Sequence, residues 1–259
     1  VATDVDRAFM AHALALAECG LYTTTPNPRV GCVIVRDGTV LGEGFHARTG
    51  SPHAEVEALA DAAHRGHDVR GATLYVTLEP CAHHGRTPPC AEAVVAAGLA
   101  RVVVAMRDPN PEAGGGLACL RAAGIDVEEG VAAAAARELN IGFVSRLSRG
   151  VPWVRLKVAA TLDGRTALTD GQSRWITGPE ARADGHAWRA RACAVLTGIG
   201  TVLADDPALT VRGVSTPRQP WRVVVDRDAR TPPAARILGV GQVIIVTNGA
   251  RNAGWPEHV

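Results

Sequence analysis

Four side chains in the first half of the chain have the types and spacing to hold a metal ion and to move protons beside it: His53, Glu55, Cys81 and Cys90. A catalytic zinc site takes three nitrogen or sulfur ligands and leaves one position open to water. His53, Cys81 and Cys90 supply that count. One neutral imidazole and two thiolates cancel the charge of a divalent ion, so a water placed there is acidified less than in an all-histidine site. A neighbouring base is then needed. Glu55, two residues beyond His53, can reach the open position without being a ligand, take a proton from the water and return it to a leaving nitrogen. Singly, each residue has a plainer reading. A lone Cys is usually a small core residue, which is how Cys19, Cys32, Cys119 and Cys193 read, and His12, His64, His67 and His186 read as surface residues. The four residues stand apart because His-Ala-Glu and Pro80-Cys81, with Cys90 beyond, flank one intervening strand pattern.

That arrangement needs helices starting near 53 and 89 and a strand ending before 81. HAEVEALADAAH, 53–64, has apolar residues at 56, 59, 60 and 63 on one helical face, with Ser51-Pro52 as its entry. A strand follows at 73–78, then a helix from about 89 to 97 ended by Gly98. The unpaired N–H groups of a helix start favour the thiolate form. Upstream, 30–46 places two β-rich runs around Asp37-Gly38, a hairpin signal, and 1–20 reads as a surface helix with Phe9, Ala13, Leu16 and Ala17 on its apolar face. Downstream, strand (RVVVAM), Asp-Pro-Asn-Pro loop, helix, short strand and Ala-rich helix predict a layered α/β sheet. SRLSRGVP, 145–152, reads as a linker. Beyond it WVRLKVAA, ACAVLTGI, WRVVVD and QVIIVTN read as buried strands, with a helix at 179–191 between the first two. Two α/β domains result, 1–147 and 152–259.

The 27 basic and 26 acidic side chains nearly cancel, and no basic run with interleaved aromatics suggests a nucleic-acid groove, so a small-molecule ligand is expected. Charged residues or His break every apolar run short of a membrane span, and the N-terminus lacks a secretory pattern. Six cysteines without framework spacing point to a reducing, cytoplasmic setting.

His-x-Glu followed by Pro-Cys and a second Cys is the zinc deaminase signature, except that Cys81 and Cys90 are separated by the eight residues AHHGRTPP instead of two. HAEVEAL with TLEPCAHHGRTPPC closely resembles the deaminase half of the bifunctional riboflavin-biosynthesis deaminase/reductases. TPNPRVGCVIV, GEGFH, RVVVAMRDPNP, KVAATLDGRTAL, SRWITGPEAR and TVLADDPALTVR extend the likeness over nearly the whole chain. The resemblance implies a cytidine deaminase-like fold followed by a dihydrofolate reductase-like fold. It implies zinc-dependent loss of the 2-amino group from 2,5-diamino-6-ribosylamino-4(3H)-pyrimidinone 5′-phosphate, with substrate contacts at Asn27, His46, His83 and Arg86. For the second half it implies reduction of the ribosyl group by NADPH, with Ala159, Trp175, Thr201 and Asp205 at the cofactor and Ser173, Arg189, Leu209 and Arg212 at the substrate. Lys157 and Asp205 are then the polar groups nearest the hydride acceptor. It also implies a homo-oligomer. Family chains continue into a later phosphate-cradling Gly-rich stretch, so the reductase half is expected to be C-terminally incomplete and inactive here. The rival readings are a deaminase of a free nucleoside or nucleotide and a non-catalytic zinc-stabilised binding module.

Overall fold

The computed structural model describes residues 2–83 and 88–259, which form two compact units that divide between Val154 and Arg155. Helix α1 (Asp4–Cys19) opens on a reciprocal cap: Thr3 Oγ1 accepts the Asp6 N–H, and Asp6 Oδ2 accepts the Thr3 N–H. The hairpin β1 (Gly31–Arg36) and β2 (Thr39–Phe45) turns at Asp37 and Gly38, both at positive φ, as a two-residue turn matched to strand twist requires. Then come α2 (Ala54–His64), β3 (Thr73–Val76), α3 (Cys90–Ala96), β4 (Arg101–Val104), α4 (Gly116–Ala122), β5 (Asp126–Glu129), α5 (Ala133–Leu139) and α6 (Ile141–Arg149). The sheet runs β2-β1-β3-β4-β5, with β1 antiparallel to both neighbours and β3, β4 and β5 parallel. Its core holds Ile34, Leu74, Val76, Val102, Val103, Val104 and Leu120. The C-terminal ends of the parallel strands lead into Cys81 and into the Asp-Pro-Asn-Pro loop, where open α/β sheets bind their ligands.

Two expectations for this unit need correcting. The stretch read as a linker is helical through Arg149, because Ile141–Arg149 forms a strongly amphipathic helix that buries Val144 and Ser145. The face of α2 that packs down is Ala54, Glu55, Ala58 and Ala62, whereas Val56 and Leu59 are half-buried and Ala60 and Ala63 are exposed. The cause lies in β2. A Cβ on Gly42 would sit 2.3 Å from the Ala58 carbonyl oxygen, and one on Gly44 would sit 2.6 Å from the Ala58 nitrogen. Helix and strand therefore meet nearly backbone to backbone, and only alanine fits between them. Gly42→Ala must lift α2 from the sheet. We expect a loss of about 1–3 kcal/mol in unfolding free energy and a fall of roughly tenfold in turnover through misplacement of His53 and Glu55, read by denaturant unfolding and by ammonia release.

Asp6 links α1 to the sheet. Its carboxylate accepts from the Tyr75 hydroxyl at 3.0 Å and from Arg101 Nη1 at 2.6 Å while keeping its cap. The Arg101 bond, followed by those from Thr3 and Tyr75, holds this buried carboxyl well below its ordinary value of 3.8. Its stabilisation is full above that value and is lost as pH falls through it toward the folded-state value. We expect Asp6→Asn to cost about 2–4 kcal/mol at pH 7, somewhat under a fully buried pair because Arg101 is partly exposed. The gap from wild type should shrink in acid, which urea unfolding at pH 7 and pH 3 measures.

The second unit holds α7 (Pro179–Arg191), β6 (Ala194–Gly198), α8 (Ile199–Asp205), β7 (Trp221–Val225), a 3-10 turn at Arg236–Leu238 and β8 (Val243–Val246). Its three parallel strands are ordered β6-β7-β8, around Val202, Val224, Ile237, Leu238, Val243 and Trp255. The buried strand expected at 153–160 is absent among the described residues: the stretch carries neither helix nor strand, and Val154 is 80% and Leu156 84% exposed. Alternation of apolar and basic residues there marks one side for burial, but no described strand pairs with it. Among the described residues no helix is long and apolar enough to cross a membrane.

Candidate active site

His53 is the N-cap of α2, and Cys90 is the first residue of α3 after Pro89. Cys81 follows the end of β3 and is tied to α3 by two bonds: Cys90 N–H donates to Cys81 Sγ at 3.4 Å, and Ala91 N–H to the Cys81 carbonyl at 3.1 Å. His53 Nδ1 stands 3.2 Å from Cys90 Sγ and 3.6 Å from Cys81 Sγ, and the three donor atoms all lie within 4.8 Å of one another. Two sulfurs and one imidazole nitrogen at these separations match the donor set and crowding of a tetrahedral zinc with one open position. Electrostatics agree. The hydrogen bond with Cys90, ahead of that with His53, pulls the Cys81 thiol down, and the shared proton together with burial pushes Cys90 up. The pair holds one negative charge and one proton that a divalent cation can replace.

Glu55 is 3% exposed, and burial pushes its carboxyl up to about 7, with Cys90 as a hydrogen-bond neighbour. A carboxyl near neutrality beside the ligand cluster can both take and return a proton.

His46, also buried, stands edge-on to the His53 ring with centroids 5.5 Å apart. Its Nδ1 donates to the Pro52 carbonyl at 3.0 Å, so Nε2 accepts from Asn27 Nδ2 at 3.1 Å. Burial, the largest influence, holds the imidazole below its usual range and hence neutral. This pairing orients the Asn27 amide, leaving Oδ1 as an acceptor for a ligand N–H. His83 is exposed two residues past Cys81, and Arg86 lies outside the described residues.

Asp108, in the loop after β4, escaped the sequence reading. Burial raises its carboxyl, and Glu79 and Cys81 add to the rise, while the Asn110 N–H that it accepts at 2.8 Å and His83 oppose it. Its position just past a central parallel strand was the available signal. Cys32 is buried as expected, whereas Cys19 and Cys193 are exposed.

In the second unit, Arg189 Nη1 donates to the Thr210 carbonyl at 2.8 Å, and the Arg212 N–H donates to His186 Nδ1 at 3.2 Å. His186 thus joins Arg189 and Arg212, a role its sequence context did not reveal. Leu209 lies in the same segment at φ 51°. Thr201 and Asp205 share α8, one turn apart. Lys157, Ala159, Ser173 and Trp175 lie in the 155–178 stretch without helix or strand, Trp175 with Arg182 over its ring at 4.4 Å.

Two family models match the chain: the cytidine and deoxycytidylate deaminase zinc-binding region over residues 3–106, and the RibD C-terminal domain over residues 152–259. The riboflavin biosynthesis protein RibD of Escherichia coli is 51% identical over 98% of this chain and 72% of its own length, and that of Haemophilus influenzae 48% identical over 97% and 71%. Among solved structures, RibD of Acinetobacter baumannii superposes with a TM-score of 0.87 at 51% identity over 95% of this chain and 70% of that one. A diaminohydroxyphosphoribosylaminopyrimidine deaminase/5-amino-6-(5-phosphoribosylamino)uracil reductase of Thermotoga maritima does so at 0.94, with 43% identity over 98% and 73%.

Proposed function

This chain belongs to the RibD family of riboflavin biosynthesis proteins, and on that footing we propose that it deaminates 2,5-diamino-6-ribosylamino-4(3H)-pyrimidinone 5′-phosphate, with a second domain of the type of the NADPH-dependent reductase that turns the product's ribosyl group into ribityl. The observation that carries the first activity is the convergence of His53, Cys81 and Cys90 beside a buried Glu55. His53, Cys81 and Cys90 would hold a zinc ion, which would supply Lewis acidity at the reacting centre. Glu55 takes the proton of the attacking water and delivers it to the amino nitrogen, so that a carbon–oxygen bond forms, the carbon–nitrogen bond breaks and ammonia leaves. Asn27, fixed by neutral His46, accepts an N–H of the ring edge through Oδ1. His83 and Arg86 hold the sugar phosphate.

In the reductase, Arg189, Arg212, Ser173 and the Leu209 backbone receive the substrate, while Ala159, Trp175, Thr201 and Asp205 receive NADPH and Lys157 lies near the hydride acceptor. The exposed apolar residues of this unit, Leu156, Trp175 and Leu196 among them, suit a homo-oligomer. Six cysteines without a disulfide suit the cytoplasm.

Ammonia release measured side by side from cytidine, deoxycytidylate and the diaminopyrimidinone phosphate tests the substrate; turnover of cytidine alone overturns it. NADPH oxidation on the deaminated product tests the second activity.

A further inference from the structure

Glu79 stands two residues before the ligand Cys81 and is buried, yet its three described side-chain bonds all go to main-chain N–H groups far away in sequence. Oε1 accepts from Gly115 at 3.0 Å and Leu117 at 3.2 Å, and Oε2 accepts from Asp108 at 3.2 Å. Gly115 and Leu117 begin α4, whose N-cap offers no side chain of its own. The cap of this helix is thus supplied across the sheet, from the segment that carries a metal ligand. A local Ser or Asp would satisfy a helix start equally well, so the long reach calls for a different explanation.

The same contact is reinforced twice. Gly116 rests on the Pro80 carbonyl so closely that a Cβ would lie 1.8 Å from its oxygen, and the Ala82 N–H donates to the Ala113 carbonyl at 3.1 Å. The 108–117 loop therefore grips the chain on both sides of Cys81. At its near end it carries Asp108, a half-buried acid whose carboxyl is raised by burial first and by the charges of Glu79 and Cys81 after it.

We propose that Glu79 is a positioning residue for the deaminase: its carboxylate locks the 108–117 loop onto the Glu79–Ala82 segment and so sets both Cys81 and Asp108 against His53 and Glu55. The kinetic part rests on the deaminase reading above; the loop-locking part does not. Glu79→Gln separates the two arms. Its amide oxygen can still accept from Gly115 and Leu117, but its NH2 group would face the Asp108 N–H donor. Glu79→Ala removes both arms.

The test uses the zinc-loaded full chain and three readouts: amide hydrogen exchange at Asp108, Gly115 and Leu117, zinc loss to a chelator, and the kcat and KM of ammonia release. In Glu79→Gln we expect the Asp108 amide to exchange at least about tenfold faster with Gly115 and Leu117 still protected, and kcat/KM to fall about ten- to hundredfold at full zinc content, as outer-shell changes do. In Glu79→Ala, zinc loss should also speed up by about tenfold. Kinetic constants within about twofold of wild type in Glu79→Gln, with only the melting temperature lowered in Glu79→Ala, would reduce Glu79 to a cap of α4 and overturn the proposal. Should the wild type release no ammonia, the deaminase reading fails separately, and exchange and zinc loss still decide: both unchanged in the two variants overturns the locking role.

Discussion

Replacing Glu55 by Gln lowers ammonia release by a factor on the order of 10² to 10⁴ while zinc stays bound, the range lost when a positioned acid/base group is removed. Gln fills the same buried space, so packing against β2 survives and the loss isolates proton transfer. The carboxyl is suited to that task because burial brings it to about 7, close to the pH at which it must both accept and donate. Steady-state ammonia assays with metal content measured on the same samples give the answer. Unchanged turnover at full zinc content would falsify the shuttle, leaving the ligand cluster as a structural zinc site.

Zinc removal is the second large effect. Chelation, or Cys90→Ser, should abolish ammonia release and lower the melting temperature of the protein, and re-adding zinc should restore the chelated wild type but not the variant. At a free zinc concentration about a thousandfold above its dissociation constant, the stabilisation lost is about 4 kcal/mol. Without the cation, Cys81 and Cys90 share a proton, so metal uptake must release it, and affinity should fall as pH is lowered. Calorimetric unfolding with and without chelator, and zinc titrations at two pH values in buffers of different ionisation heat, measure the two consequences. An affinity that does not weaken in acid would mean that the sulfurs are not the ligands.

Much of this was legible in the residues. Asp37-Gly38 announced its hairpin because a type I′ turn needs positive φ at both positions, and His53, Cys81 and Cys90 announced themselves as side chains that the fold brings within 4.8 Å of one another, because few other needs place those types at helix starts and strand ends. The burial of α2 was misread for a physical reason: periodicity counts large apolar side chains, whereas here the contact is set by Gly42 and Gly44, which admit only alanine. The signal was the Gly-Glu-Gly run itself. Asp108 and His186 were missed because their significance arises from segments brought beside them by the fold, at the end of β4 and across from α7. The strand expected at 153–160 failed since alternation specifies a face and not a neighbour.

The spacing between α2 and β2 also bears on how substrate preference can change. Large side chains act as a cushion, letting a helix settle by fractions of an ångström when its surroundings are altered. Between these two elements there is almost nothing compressible, so Glu55 inherits the stiffness of the sheet and varies in position no more than the sheet does. New specificity in such a scaffold has to come from the segments that rim the cluster, 24–28, 46–52 and 107–117. The helix that carries Glu55 is the part least free to adapt.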